Sequence, residues 1–276
     1  MPELPDLIYI KNNLKDLLPG RKITDVNVKN PIVIREIVPG RFADNLKGKT
    51  IESIDNHGPF LKVQIPPYDI VIHFMLVGKI QYAKKDEKPV KDVCFTITLD
   101  NDHLLHYGDE KQMGKIYLTN QGEYEKISGY LDQGVNIMTD DFSHEYLDKL
   151  LSKSRQQVRA LLIDKRKLSA IGNAYADEIL FDAKIFPKTP CNQLSQDEKK
   201  HLYESIKSVT LWAINELEKS GKPIHIKIRD HMKIRNKIGQ PCPNCGEKIR
   251  RLNVNGYDSF FCPSCQPSGD SSKTLW

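Results

Sequence analysis

Residues 242–265 read Cys242-Pro-Asn-Cys245-Gly-Glu-Lys-Ile-Arg-Arg-Leu-Asn-Val-Asn-Gly-Tyr-Asp-Ser-Phe-Phe-Cys262-Pro-Ser-Cys265. Two Cys-x-x-Cys turns are separated by 16 residues, and each turn brings two thiolates to bear on one metal. The chain has only two other cysteines, Cys94 in an alternating strand pattern and Cys191 in a Pro-flanked loop, and both read as inert thiols. Cys242, Cys245, Cys262 and Cys265 are therefore expected to hold one structural Zn2+ rather than to pair as disulfides. The segment between the turns, Lys248–Phe261, is expected to fold as a hairpin around Asn255-Gly256, two residues that accept the positive φ of a tight turn. A zinc ribbon of this kind can be purely structural, so its partner has to be sought outside it.

Immediately upstream and within the ribbon the chain is basic: Lys222, Lys227, Arg229, Lys233, Arg235, Lys237, Lys248, Arg250 and Arg251. Residues 151–276 carry a net charge of +9 and residues 1–150 a net of −4, within an overall +5. A one-sided excess of this size points to a polyanion, and nucleic acid is the expected partner. The 276 residues, 39% of them hydrophobic, suffice for two domains and a small module. No apolar run approaches the roughly 18–20 residues of a membrane span. The acidic start lacks the basic-then-apolar pattern of a secretory signal. Membrane-embedded and secreted classes are set aside, and a cytoplasmic or nucleoid location is expected.

Period-2 runs fill the first half: Lys22–Val28, Ile51–Ile54, Phe60–Ile65, Ile70–His73, Val93–Leu99, His103–Tyr107 and Lys115–Leu118, with Gly, Pro, Asn and Asp turns between them. So many short strands in succession predict a sandwich or barrel. From Ser143 the period becomes helical, with helices expected over Ser143–Ser152, Arg155–Asp164, Gly172–Ala183 and Gln196–Ser220. The last opens on a capping box at Ser195 and Glu198 and stops at Gly221. The basic turn Lys165–Gly172 joins two of these helices and offers amides at a helix start to a phosphate, although a plain helical hairpin would look the same. The expected class is α+β in three parts: 1–130, a helix plus β-sandwich; 131–222, a helical domain; and 223–276, the basic linker, zinc finger and a Ser/Gly/Asp/Lys tail expected to be mobile.

The other end of the chain reads Met1-Pro2-Glu3-Leu4-Pro5-Asp6. Leu4, Leu7, Ile8, Leu14, Leu17 and Leu18 have mostly helical spacing, which puts Pro2 at a helix N-terminus. Met1 is normally trimmed before a small residue, leaving Pro2 with a secondary amine. The positive end of the helix disfavours its protonation. Such an amine attacks a sugar carbon and forms an iminium. The plainer account is that Pro2 and Pro5 merely start a helix.

Together these pieces resemble the formamidopyrimidine-DNA glycosylase and endonuclease VIII family of base-excision repair. The resemblance spans nearly the whole chain: the Pro2-Glu3-Leu4-Pro5 start, the β-rich first domain, Ile171-Gly172-Asn173-Ala174-Tyr175-Ala176-Asp177-Glu178 in a helix-two-turn-helix domain, and Gln240-Pro241-Cys242 through Cys265-Gln266. It implies a bifunctional glycosylase and abasic-site lyase acting as a monomer on double-stranded DNA that carries damaged bases or abasic sites. In the implied mechanism the Pro2 nitrogen attacks C1′ of a flipped-out nucleotide, and an iminium then leads to β- and δ-elimination. Glu3 would be the acid–base group, and Asp6 stands where the family usually has Glu. Asn173 and Arg159 would contact phosphates. Leu76, Lys111 and Met113 would fill the space of the flipped base, two of them as apolar wedges; for Leu76 the competing account is core packing.

Three departures from the family pattern bear on activity. Pro59 occupies the place of a hairpin lysine, and Lys62 falls on the opposite face of its strand. Tyr257 replaces an arginine of the zinc hairpin, with Arg250 and Arg251 flanking it as possible substitutes; tyrosine stacks or donates one hydrogen bond and does not replace a guanidinium. The segment Pro223–Ile234 is short, which favours the endonuclease VIII side and oxidised pyrimidines, ring-opened lesions or abasic sites. The missing lysine and arginine keep a second expectation alive, a damaged-DNA-binding protein of the same fold with weak or lost base excision.

Overall fold

The computed structural model describes residues 1–268. The tail expected to be mobile lies, from residue 269 onward, outside the described residues. Helix α1 (Leu4–Leu14) forms because Leu4, Leu7, Ile10 and Leu14 recur at helical spacing and bury a single face. Pro5 sits in the first turn, where its missing N–H is no loss. The Asp6 carboxylate accepts the Glu3 N–H at 2.8 Å and closes a capping box.

Nine strands follow: β1 (Ile23–Val28), β2 (Ile34–Glu36), β3 (Ser53–His57), β4 (Phe60–Ile65), β5 (Tyr68–His73), β6 (Lys79–Lys84), β7 (Val93–Leu99), β8 (His103–Gly108) and β9 (Lys115–Asn120). A short helix, α2 (Phe42–Leu46), interrupts them after β2. They form a four-stranded sheet in the order β1-β7-β8-β6 and a five-stranded sheet in the order β2-β9-β5-β4-β3. Alternation sends Leu61, Val63 and Ile65 of β4, Ile70 and Ile72 of β5, and Phe95, Ile97 and Leu99 of β7 into one core with Leu7, Ile10 and Leu14 of α1. The expected sandwich is therefore what these strands make. The sequence pattern missed β2 and β6. The first is only three residues long, and the second buries two consecutive residues, Ile80 and Gln81, so strict alternation fails there.

Four helices dominate the second half: α3 (His144–Ser152), α4 (Val158–Leu162), α5 (Asn173–Asp182) and α6 (Gln196–Ser220). Ser143 caps α3 by accepting the Tyr146 N–H at 3.1 Å. Before α6 the Ser195 N–H donates to Glu198 and the Glu198 N–H to Ser195 Oγ, the expected capping box. The helix expected from Arg155 begins only at Val158. Residues 154–157 are non-helical instead, held by Cys191 N–H to the Gln156 carbonyl (2.9 Å) and Val158 N–H to the Thr189 carbonyl (2.9 Å). The basic turn also contains a two-residue strand, β11 (Leu168–Ser169), parallel to β10 (Val135–Asn136). Gly134 permits that approach, since a Cβ there would lie 2.2 Å from the Lys167 carbonyl carbon. The zinc hairpin is β12 (Arg250–Val254) and β13 (Tyr257–Phe261), turning at Asn255 (φ 50) and Gly256 (φ 85) as the sequence suggested.

By packing, the described residues form two compact units. One comprises Met1–Asp132 with Leu217–Ile228, the other Gln133–Glu216 with the described residues from Arg229 onward. The zinc module is not separate because Phe181 of α5 packs with Ile234, Ile249 and Phe260. Gln266 Nε2 also donates to the Ile185 carbonyl at 2.8 Å. Residues 217–228 join the first body through Leu217 and Ile228 packed on Tyr9, whose hydroxyl donates to the Lys222 carbonyl at 2.5 Å.

Candidate active site and nucleic-acid interface

In the first unit the chain start opens into a cleft of about 290 Å3, lined among others by Met1, Pro2, Asp6, Leu76, Glu110 and His225. Pro2 is half-buried, and Glu3 is buried at the head of α1. The Met1 ammonium donates to the Leu76 carbonyl at 2.9 Å, so the terminus lies beside the loop that carries the expected wedge. Burial, with Lys79 nearby, pushes the His225 pKa below its usual value, which leaves a neutral imidazole in the cleft wall at pH 7.

Leu76 is 50% exposed and Met113 42% exposed, so neither belongs to the core; Lys111 is exposed beside Met113. All three stand on loops whose roots are fixed. Asp109, 1% exposed, accepts the Lys111 and Gln112 N–H groups on Oδ1 (3.0 Å each) and the Gly114 N–H on Oδ2 (2.6 Å). The Tyr107 hydroxyl is wedged between the two loops. A Cβ on Gly78 would sit 2.4 Å from it and one on Gly114 only 1.9 Å. Burial and the Asp109 charge raise the Tyr107 pKa, so the phenol stays neutral. The sequence reading missed Asp109, Tyr107 and both glycines as functional; the signal was the Asp109–Gly114 loop, closed at both ends by the groups that shape it.

Pro59 is buried at the tip of the β3–β4 hairpin, after Gly58 at φ 54, and supplies no cation. Lys62 lies on the face of β4 opposite Leu61 and Val63, with Nζ 5.8 Å from the Tyr124 ring centroid.

The second unit places Arg159 differently from expectation. It is 0% exposed. Its Nε donates to Asp177 Oδ1 at 2.9 Å, and Nη2 donates to Asn173 Oδ1 (3.1 Å) and the Asp258 carbonyl (2.9 Å). So enclosed, it bonds to Asn173 rather than reaching the surface, and its Nη1 is buried without a partner among the described residues. An arginine donates only, so the amide oxygen of Asn173 must face it and the NH2 end is left to donate elsewhere. Asp177, also 0% exposed, accepts from Ser259 Oγ (2.8 Å) and Arg235 Nη1 (2.5 Å) as well. One carboxylate thus ties the start of α5 to the zinc hairpin. Glu178 next to it accepts the N–H groups of Lys233, Ile234 and Arg235 at 2.9–3.0 Å. Burial raises the Glu178 pKa, and those three donors oppose the rise. Arg251 pairs with Asp258 at 3.3 Å, both half-exposed, and Tyr257 is 52% exposed at the hairpin tip. The sequence reading missed Asp177, Glu178 and Arg235 as a network. Its signal was an acidic doublet inside the otherwise apolar run Ala174–Phe181.

The Sγ atoms of Cys242, Cys245, Cys262 and Cys265 all lie within 4.8 Å of one another, with neighbouring pairs at 3.5–3.8 Å. Zn–S bonds of about 2.3 Å in a tetrahedron require S···S edges of roughly 3.8 Å. The donor set fits one structural Zn2+ with no position left for substrate.

The formamidopyrimidine-DNA glycosylase N-terminal domain matches residues 1–116, the H2TH domain of that enzyme residues 134–224, and the zinc finger found in FPG and IleRS residues 239–267. The chain is 30% identical to a formamidopyrimidine-DNA glycosylase of Pelotomaculum thermopropionicum, over 96% of this chain and 99% of that one. It is also 30% identical to one of Bacillus cereus, over 97% and 99%. Among solved structures, the MutM (Fpg) protein of Thermus thermophilus superposes with a TM-score of 0.83 at 26% identity, covering 98% of this chain and 100% of that one. A Lactococcus lactis Fpg complex reaches 0.85 at 24% identity, over 97% and 100%, and speaks to the fold alone. The chain belongs to the formamidopyrimidine-DNA glycosylase (Fpg/Nei) family. It is a base-excision repair DNA glycosylase, with the abasic-site lyase activity typical of that family. These relatives carry the formamidopyrimidine name, so the short 223–234 segment finds no support in them for the endonuclease VIII side. No helix among the described residues is long and apolar enough to cross a membrane.

Proposed function

We propose that this glycosylase works through the Pro2 nitrogen, freed by removal of Met1, with Glu3 as the acid–base group beside it. The single observation that carries this reading is the chain terminus lining the cleft with its ammonium 2.9 Å from the Leu76 carbonyl. In the proposed cycle the Pro2 nitrogen bonds to C1′ of the deoxyribose and the base leaves with the glycosidic electron pair. Glu3, buried at the head of α1, holds and returns the protons of the ring-opening and elimination steps. Leu76, Lys111 and Met113 enter the duplex where the damaged nucleotide has left. Asn173 takes phosphate oxygens through its NH2, while Tyr257, Arg250 and Arg251 meet the backbone at the hairpin. Structures of the similar L. lactis protein hold abasic-site, Fapy-dG and oxidised-pyrimidine DNA, and this supports the same lesion classes here. Action on DNA supports a cytoplasmic location at the nucleoid, and a single copy carries every proposed group.

The test is covalent trapping. An abasic-site duplex incubated with the protein and borohydride should give an adduct at Pro2, absent in Pro2→Gly. Base release from a Fapy or oxidised-pyrimidine duplex is measured alongside. An adduct without base release would favour the reading that Pro59 leaves excision weak. Salt-sensitive binding with no adduct at all would overturn the role of Pro2.

A further inference from the structure

We propose that Arg235 is the guanidinium with which the second unit grips a DNA phosphate, supplying the cation that the hairpin lacks at Tyr257. The proposal rests on the reading of the chain as a damaged-DNA enzyme and adds one residue to its binding surface. An arginine has five N–H donors. Every hydrogen bond that Arg235 makes through its side chain uses Nη1: Asp177 Oδ2 at 2.5 Å, the Asp258 carbonyl at 3.0 Å and the Asn173 carbonyl at 3.3 Å. Nε and Nη2 have no partner among the described residues. Those two nitrogens form the parallel fork that matches two oxygens of a phosphate.

The fork is held rather than loose. Its Cζ lies 5.0 Å from the Phe260 ring centroid, and the Arg235 backbone N–H is bound by Glu178. The side chain is 17% exposed, and neither Nε nor Nη2 is among the buried polar atoms without a partner, so the fork reaches solvent from a partly desolvated seat where a charge-assisted bond is stronger than on an open surface. The same place offers a second donor. Asn173, its amide oxygen held by Arg159, carries at the start of α5 an NH2 with no partner among the described residues. Arg159 and Arg235 share the one carboxylate of Asp177, and the Asp258 carboxylate is engaged by Arg251, so among the described residues no acid pairs with Nε or Nη2 of Arg235. Arg235 also holds the carbonyl of Asp258, one residue from Tyr257, which puts its charge at the hairpin.

The experiment uses the full chain with zinc bound and a duplex containing a tetrahydrofuran abasic analogue, with Kd measured across a salt series. Arg235→Gln should weaken binding about 10-fold near physiological salt and reduce the slope of log K against log salt by about one. Undamaged duplex should lose a similar factor, because a phosphate contact reads no base. Arg235→Lys should keep the slope yet lose affinity, since an ammonium cannot form the fork. Adding Tyr257→Arg to Arg235→Gln should restore the slope. An Arg235→Gln protein with one zinc per chain, native melting and unchanged slope would overturn the proposal. Should that variant melt early, wild-type affinity in a natively melting Arg235→Lys protein would overturn it instead. Wild type that binds neither duplex at any salt refutes the damaged-DNA reading itself, a result separable from either.

Discussion

Among single residues, the proposed DNA-binding loops are held by side chains buried beneath them. Asp109 is the strongest case: one carboxylate satisfies three backbone donors under the loop that presents Lys111 and Met113. Asp109→Ala would leave those N–H groups buried or force the loop open, at a cost of about 2–4 kcal/mol. Urea denaturation of the variant should show that loss, and affinity for abasic duplex should fall with it. Stability within a few tenths of a kcal/mol of wild type would show that the loop is held by something else. Legibility at this scale followed locality. The four cysteines were readable because spacing alone brings their sulfurs together. Arg159 was not, because an arginine among Val158, Leu161 and Leu162 looks the same on a helix face whether its partner is a phosphate or Asp177, 18 residues on.

Elements were legible where their ends carry their own chemistry. Helix α6 runs from Gln196 to Ser220 as expected, because Ser195 and Glu198 cap one end and Gly221 at φ 57 releases the other. The start of α4 was not, because residues 154–157 pair with residues near 190, a partner no local pattern announces. Helix α1 joins its element to its chemistry. Asp6 accepts the Glu3 N–H and so fixes where the helix begins and where Glu3 and Pro2 stand. Asp6→Ala should cost about 1 kcal/mol, the usual worth of a cap. The cost to borohydride trapping should be larger than that to stability, since a frayed first turn displaces the amine itself. Asp6→Asn, which still accepts the N–H, should retain most of both. Trapping unaffected by Asp6→Ala would mean that the cap does not position the nucleophile.

At the scale of the whole molecule, the sequence divides by composition and the structure divides by packing. The zinc module reads as a separate basic tail, yet its hairpin completes the core of the helical unit through Phe181, Ile234, Ile249 and Phe260. The buried Asp177 network reaches the same hairpin through Ser259 and the Asp258 carbonyl. Removing zinc should therefore do more than free a finger. It releases four thiolates whose convergence holds β12 and β13, and with them the groups that bond to Arg159 and Asp177 at 0% exposure. A buried charge that loses its partners is costly, so the helical unit should loosen as well. The sandwich core is built from residues of the first unit. Chelation at neutral pH should thus split calorimetric unfolding: one transition moves down steeply while the sandwich transition stays in place. Binding to abasic duplex should fall by more than the Arg235→Gln loss, because Asn173, Arg235 and Tyr257 are displaced together. A single transition shifting as a whole would show that the two units unfold as one body. Unchanged affinity after complete zinc removal would show that the hairpin takes no part in holding DNA.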